Sequence, residues 1–95
     1  MKKIIGVVSK VYNLFSTESG YMELTFGVEI LGNGEHDKEL FLMCRYGTKD
    51  FAIIESIKPG VKLDITGKIE VRNFKVRGRI ACGPILEITQ LVVQF

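Results

Sequence analysis

Residues 46–74 read YGTKDFAIIESIKPGVKLDITGKIEVRNF, and this stretch predicts a short helix, a tight turn and a long strand. The helix covers residues 48–57, with Thr48 as its N-cap and Pro59-Gly60 as its stop. In the strand, apolar and polar side chains alternate, which is typical of a strand with one buried face. The predicted buried row is Leu63, Ile65, Ile69 and Val71, and the opposite row is Lys62, Thr66, Lys68, Arg72 and Phe74.

Four further strands are predicted around this stretch. Alternation with a period of two is clearest over residues 21–31, and residues 4–12 and 40–44 form the other two strands before the helix. Residues 86–95 form the last strand, after a basic, glycine-punctuated loop or hairpin over residues 75–84. Chain reversals are predicted at residues 16–20 and 32–38.

The order of these elements predicts the fold class. Five strands with one short helix between strands 3 and 4 indicate an all-β, five-stranded OB-fold barrel, formed as one domain over residues 1–95. Ten glycines with several short apolar runs favour β structure with many turns. No apolar run approaches the roughly 20 residues needed to cross a bilayer, so the sequence predicts a cytoplasmic protein that does not bind membranes.

Nothing in the sequence indicates catalysis. Cys44 and Cys82 have no metal-binding spacing and are predicted to be free thiols. His36 is the one histidine, and it lies in a predicted turn beside Glu35 and Asp37, where a solvated loop residue is expected. We therefore predict that the protein is not an enzyme and needs no metal or cofactor.

Positive charge is concentrated in the second half of the chain. Residues 1–50 hold 6 Lys and Arg against 7 Asp and Glu, a balance of −1, whereas residues 51–95 hold 7 against 4, a balance of +3. Such a charge run is commonly a solvated hairpin, but cations beside aromatic rings also bind unpaired nucleic acid, by phosphate contact and base stacking. The candidate binding residues are Lys10, Tyr12, Tyr46, Lys68, Arg72, Phe74, Lys75, Arg77 and Arg79.

Four motifs, Tyr46-Gly47, Gly60, Gly67 and Arg72-Asn73-Phe74, follow one another at a characteristic spacing. In this register the chain resembles the bacterial and phage single-stranded DNA-binding proteins, including their short relative primosomal replication protein B. The resemblance implies an OB-fold that binds single-stranded DNA in replication, recombination or DNA transfer. It implies base stacking by Tyr46 and Phe74, and it places Leu40 where the family often has tryptophan.

An apolar row is predicted on the outer face of the third strand. Leu40, Leu42 and Cys44 share a face with Tyr46, where they would contact either the ligand or a second subunit. A homo-oligomer, either a dimer or a tetramer, is therefore expected. The glycine-rich linker and acidic tip of the cellular family members do not occur in this sequence, so any replication or recombination partner is expected to contact the barrel itself.

A rival hypothesis is an OB-fold adaptor that binds another protein in a replication or mobile-element assembly, without strong nucleic-acid binding. Two features support it. The sequence has no tryptophan for base stacking, and carboxylates on the predicted outer face would repel phosphates. These carboxylates are Glu23, Glu29, Asp64 and Glu70.

Overall fold

A computed structural model describes residues 1–30 and 40–94, and these residues form five strands and one helix. The elements are β1 (Lys2–Ser16), β2 (Met22–Ile30), β3 (Leu40–Thr48), α1 (Phe51–Ser56), β4 (Lys62–Val76) and β5 (Arg79–Gln94). The sheet closes into a barrel in the order β1-β2-β3-β5-β4. The predicted OB-fold barrel, with its helix between β3 and β4, is confirmed.

The barrel closes through one long strand and one short seam. β1 pairs with β4 through Lys2–Val7 and with β2 through Gly6–Ser16, so a single strand joins two sides of the barrel. The β3–β5 seam is parallel and has only two paired positions, Cys44 with Leu86 and Arg45 with Glu87. Backbone hydrogen bonding is thus sparse at this seam, which makes the side chains that cross it important.

The core lies inside the barrel, where one row of each strand points inward. Phe26, Leu63 and Ile65 are fully buried there, in agreement with the predicted alternation. Burial of such side chains contributes about 1.5–3 kcal/mol each, relative to an exposed position. The core cluster is Val8, Met22, Leu24, Phe26, Val28, Cys44, Ile54, Ile57, Leu63, Ile65, Leu86, Ile88 and Leu91.

The helix is shorter than predicted and has a different N-cap. The Asp50 carboxylate accepts hydrogen bonds from the backbone N–H groups of Ala52 at 3.0 Å and Ile53 at 3.4 Å. Thr48 ends β3 instead, and its Oγ1 accepts from the Asp50 N–H at 3.0 Å. Asp50 is therefore the cap, because its side chain is the one that satisfies free donors of the first turn.

Gly67 marks a close approach between β4 and β5. The register of this pair shifts between Thr66 and Gly67. A β-carbon at position 67 would overlap the backbone carbonyl of Glu87 and lie 2.9 Å from its carbon. Only glycine fits at this irregularity without moving the backbone of β5.

Beyond Gly67, β4 and β5 continue as a two-stranded hairpin that we call the arm, comprising residues 69–85. Its two-residue turn has positive φ angles at both Arg77 (51°) and Gly78 (76°), the conformation of a type I′ hairpin turn. Residues 75–84 thus form a hairpin rather than a loop. The prediction that Ile69 and Val71 are core residues is wrong, because both lie in this arm and are exposed.

Several sequence predictions fall outside the described residues. The predicted reversal at residues 32–38, His36 within it, and Phe95 at the end of the last strand all belong to this group. Among the described residues, no helix is long and apolar enough to cross a membrane. Over the same residues, no group of three or more His, Cys, Asp or Glu side chains is placed to hold a metal ion.

Candidate nucleic-acid interface

The outer face of β2 and β3 is formed by the odd-numbered residues of both strands. Their even-numbered neighbours, such as Phe26 and Cys44, are fully buried inside the barrel. Because side chains alternate along a strand, Arg45 projects outward, and Gly27 leaves its outward position without a side chain. In the register of β2 and β3, Gly27 lies opposite Met43 and Arg45 lies opposite Thr25, so both are near the middle of their strands.

Phe41 packs on Gly27, a contact that the sequence pattern did not predict. A β-carbon at position 27 would lie 2.6 Å from Cε2 of the Phe41 ring and closer still to its Cζ, so the ring occupies the space that the absent side chain leaves. Phe41 opposes Glu29 and Gly27 opposes Met43, which makes the two residues diagonal neighbours within reach of an aromatic side chain. The ring remains 51% exposed. It offers an open π surface on which a base could stack.

Lys10 and Tyr12 lie on β1, the strand beside Gly27. Lys10 pairs with Gly27 across β1 and β2, and its Nζ is 5.6 Å from the centroid of the Tyr12 ring. Register shifts on either side of Val11 mark bulges in β1 at this point, and bulges redirect side chains. The structure thus places two predicted site residues, Lys10 and Tyr12, on the strand adjacent to the position where Phe41 packs. We call Lys10, Tyr12 and Phe41 the aromatic strip.

A groove of about 500 Å³ lies farther along the β1–β2 pair, toward the arm. Asn13 and Thr25 are paired two steps beyond Lys10 and Gly27, and both line the groove. Phe74, a predicted site residue, lies in the opposite wall and is half-buried. The remaining lining residues are Leu14, Phe15, Glu23, Arg45, Asn73, Lys75 and Ile80.

The predicted cations divide into two groups. Lys75, Arg77 and Arg79 are exposed around the tip of the arm, and Lys75 also lines the groove. Arg72 is exposed too, but its Nε donates to the Glu70 carboxylate at 2.8 Å, which partly neutralises it. Lys68 is exposed beside that pair, near the middle of the face. The structure therefore supports a phosphate path along the arm tip more strongly than at Arg72.

An ion-pair cluster occupies the centre of the outer face. The Arg45 guanidinium is hydrogen-bonded to both carboxylate oxygens of Glu87, with 3.2 Å between Nε and Oε2, and its Nε lies 3.6 Å from Glu23 Oε1. Its Nη1 also donates to the backbone carbonyl of Asn73, at 3.4 Å. The hydrogen bond with Glu87 raises the pKa of Arg45 above its ordinary value. We call Arg45, Glu23 and Glu87 the central cluster.

Tyr21 packs on Gly47 beside this cluster, just as Phe41 packs on Gly27. A β-carbon at position 47 would lie 2.6 Å from Cζ of the Tyr21 ring. Burial, followed by the negative charge of Glu23, raises the pKa of Tyr21 above its ordinary value. The ring therefore lies in acidic surroundings, which are less favourable for a nucleic-acid strand than those of Phe41.

Tyr46 is not on this face, so its predicted position in an exposed row is wrong. Its side chain is half-buried and packs against the core, as does that of Leu42. Cys44 lies between them in the same row and is fully buried. The predicted outer apolar row of β3 is thus an inner row, because β3 lines the barrel with its even-numbered residues. The side chain of Leu40 lies outside the described part of the chain.

Comparisons with known proteins support the fold. No protein-family model matches the chain, and no curated protein sequence matches it. Two crystal structures of the protein PriB from Ralstonia solanacearum are similar to it, with TM-scores of 0.67 and 0.68. The alignments cover 98% and 99% of this chain and 96% of PriB, at 12% and 13% sequence identity. At this identity the likeness shows a shared OB-fold, and the function must be argued from the site.

Proposed function

We propose that the protein binds single-stranded DNA, without sequence preference, in replication, recombination or DNA transfer. The observation that carries the proposal is the half-exposed Phe41 side chain on Gly27, with Lys10 paired opposite that glycine on β1. Stacking on exposed rings and phosphate contact by nearby cations together bind single strands with little sequence choice. The fold shared with PriB and the sequence resemblance to single-stranded DNA-binding proteins support the same ligand.

The proposed path of the strand starts at the aromatic strip and follows the groove to the arm. Bases stack first on Phe41 and then near Phe15 and Phe74, while the exposed cations of the arm tip contact phosphates. These contacts involve the π faces of the bases and the sugar-phosphate backbone, not the base edges. Binding along this path should therefore show little sequence preference. The path makes no use of a cofactor or of catalysis.

Fluorescence anisotropy with labelled oligo-dT at low salt tests the proposal. The Phe41→Ala variant should bind more weakly by about 1–3 kcal/mol, the value of one base stacked on an aromatic ring. Phe51→Ala is the matched control, because Phe51 is 59% exposed on α1, outside the proposed path. Equal affinities of the two variants would remove Phe41 from the site, and no saturable binding by the unmodified protein would reject the function.

A protein-binding adaptor is the second candidate function, and one observation favours it. Val71 and Ile80 are each 73% exposed on the arm, although apolar side chains of this size are usually covered in a soluble domain. The same two side chains could instead be covered by a second copy of the chain, in which case the expected homo-oligomer forms through the arm.

Sedimentation equilibrium of the unmodified protein and of a Val71→Ser/Ile80→Ser variant distinguishes these two uses of the arm. If the arm is the interface between copies, the variant should have fewer subunits than the unmodified protein. If both are monomers, the exposed arm remains available to a different protein.

A further inference from the structure

We propose that Glu87 and Glu23 act as internal competitors for phosphate: they occupy Arg45, so that the phosphodiester backbone does not contact the wall of the groove that Arg45 and Glu23 form at the centre of the outer face. This inference rests on the proposed binding of single strands. It assigns a role to a cation that lies centrally on the face and that was not among the residues predicted from the sequence.

The geometry of Arg45 supports this role. Nε and Nη2 contact the two oxygens of Glu87, and Nη1 contacts the Asn73 carbonyl, so every guanidinium nitrogen already has an acceptor. A planar guanidinium binds phosphate through the same paired N–H groups that it presents to a carboxylate. Glu87 therefore occupies the position that a phosphate would need.

The charges around Arg45 strengthen the exclusion. Glu23 adds a second carboxylate 3.6 Å from Nε, so the two carboxylates give the cluster a formal charge of −1. Glu23 lies on β2 opposite Gly47 of β3, and Arg45 is the next residue of β3 on the same face. A phosphate that approached Arg45 would meet net negative charge, and the attraction that an isolated arginine provides would be absent.

The cluster also has a structural role, which explains why an arginine is present if it does not bind phosphate. Arg45 and Glu87 face each other across the β3–β5 seam, which has only two paired backbone positions. The contact with the Asn73 carbonyl ties the same side chain to the arm. Arg45 thus links β3, β5 and the arm, and its positive charge is neutralised by Glu87 and Glu23 within the protein.

The test compares oligo-dT affinity and its salt dependence in the unmodified protein and in Glu87→Gln. Glutamine keeps an oxygen that can accept from Arg45, so the seam should stay intact, and circular dichroism checks this. The substitution removes one of the two negative charges beside Arg45, so the cluster becomes neutral. A phosphate can then compete with the amide oxygen, and Arg45 should add one phosphate contact, which steepens the logarithmic salt slope by about 0.7. Affinity at low salt should rise about fivefold. Glu55→Gln on α1 is the control for net charge, because it removes the same charge away from the face.

A double variant identifies Arg45 as the source of the gain. Adding Arg45→Met to Glu87→Gln should abolish the gain, because the double variant has neither the cation nor the carboxylate paired with it. If the unmodified protein binds and Glu87→Gln gives neither tighter binding nor a steeper slope, this inference is wrong and the proposed function stands. If neither protein binds, both are wrong. Binding by Glu87→Gln alone would support the exclusion of phosphate by Glu87, but it would reject single-strand binding as the function of the unmodified protein.

Discussion

β4 and β5 run from the barrel body into the arm. The same alternation of apolar and polar residues gives buried side chains in the body and exposed side chains in the arm. In β4, Leu63 and Ile65 are fully buried, whereas Ile69 and Val71, which continue the alternation, are exposed. The difference is that β1 pairs with β4 only as far as Gly67. Beyond that residue, in the described part of the chain, β5 is the one strand that pairs with β4, and Ile69 and Val71 stay exposed. Alternation thus marks the inward row of a strand, but neighbouring strands decide whether that row is covered.

The largest expected effect tests this contrast directly. Ile65→Ala should lower the free energy of unfolding by about 2–5 kcal/mol, because it leaves a cavity in the closed part of the barrel. Val71→Ala should change it by less than about 0.5 kcal/mol, the usual range for an exposed position. Urea denaturation followed by circular dichroism measures both. A large decrease in Val71→Ala would mean that the arm is covered, as in an oligomer.

The two cysteines give a second test, since Cys44 lies in the body and Cys82 in the arm. Burial raises the pKa of the Cys44 thiol from its ordinary value of 9.0 to about 12. The folded state therefore favours the neutral thiol, and this contribution to stability is complete below pH 9 and disappears as the pH rises toward 12.

Thiol labelling in a Cys82→Ser variant measures that protection. Cys44 should react slowly in the native protein at about pH 8 and rapidly in urea, because the thiolate is the reactive form and the native site is sealed. The reciprocal Cys44→Ala variant should be labelled rapidly in both conditions at the exposed Cys82. Fast native labelling of Cys44 would show that the seam between β3 and β5 opens.

The third prediction concerns the cations at the arm tip. Arg77→Glu/Arg79→Glu should bind oligo-dT at least about tenfold more weakly at low salt, and its salt slope should fall by about 0.7 for each phosphate that the arm no longer neutralises. Lys58→Glu/Lys62→Glu is the matched control, with the same change in charge near the end of α1. An unchanged slope in the arm variant would confine the nucleic-acid path to the barrel body.

The smallest expected effect is on oligo-dT affinity when a stacking ring in the barrel body is displaced. It distinguishes base stacking in the body from phosphate contact in the arm. Gly27→Ala should displace the Phe41 ring and lower oligo-dT affinity severalfold without altering the salt slope, because no cation is removed. Gly47→Ala should displace Tyr21 in the same way, but with little effect on affinity, since Tyr21 lies outside the proposed path. Similar decreases in both variants would indicate that the strand also crosses the central cluster.

The candidate site was only partly predictable from the sequence. Lys10, Tyr12 and Phe74 could be found by looking for cations and aromatics on outward rows. Phe41 was missed because the resemblance drew attention to Leu40, one position away, and a shift of one residue along a strand changes the face. A signal did exist: Gly27 interrupts the outward row of β2, and a glycine there leaves room for an aromatic side chain from the next strand.

Local sequence pattern was enough to predict the order of the elements, the alternation that makes each strand two-sided, and the turn residues that join them, because these depend on neighbours along the chain. Contacts between strands were needed to show that Cys44 and Tyr46 face inward, that Val71 is exposed, and that Arg45 is paired with Glu87. Each of these outcomes depends on which strand lies beside another. Arg45 and Glu87, for example, are 42 positions apart in the sequence but in contact in the fold. The pattern of residues within one strand does not indicate which other strand lies beside it.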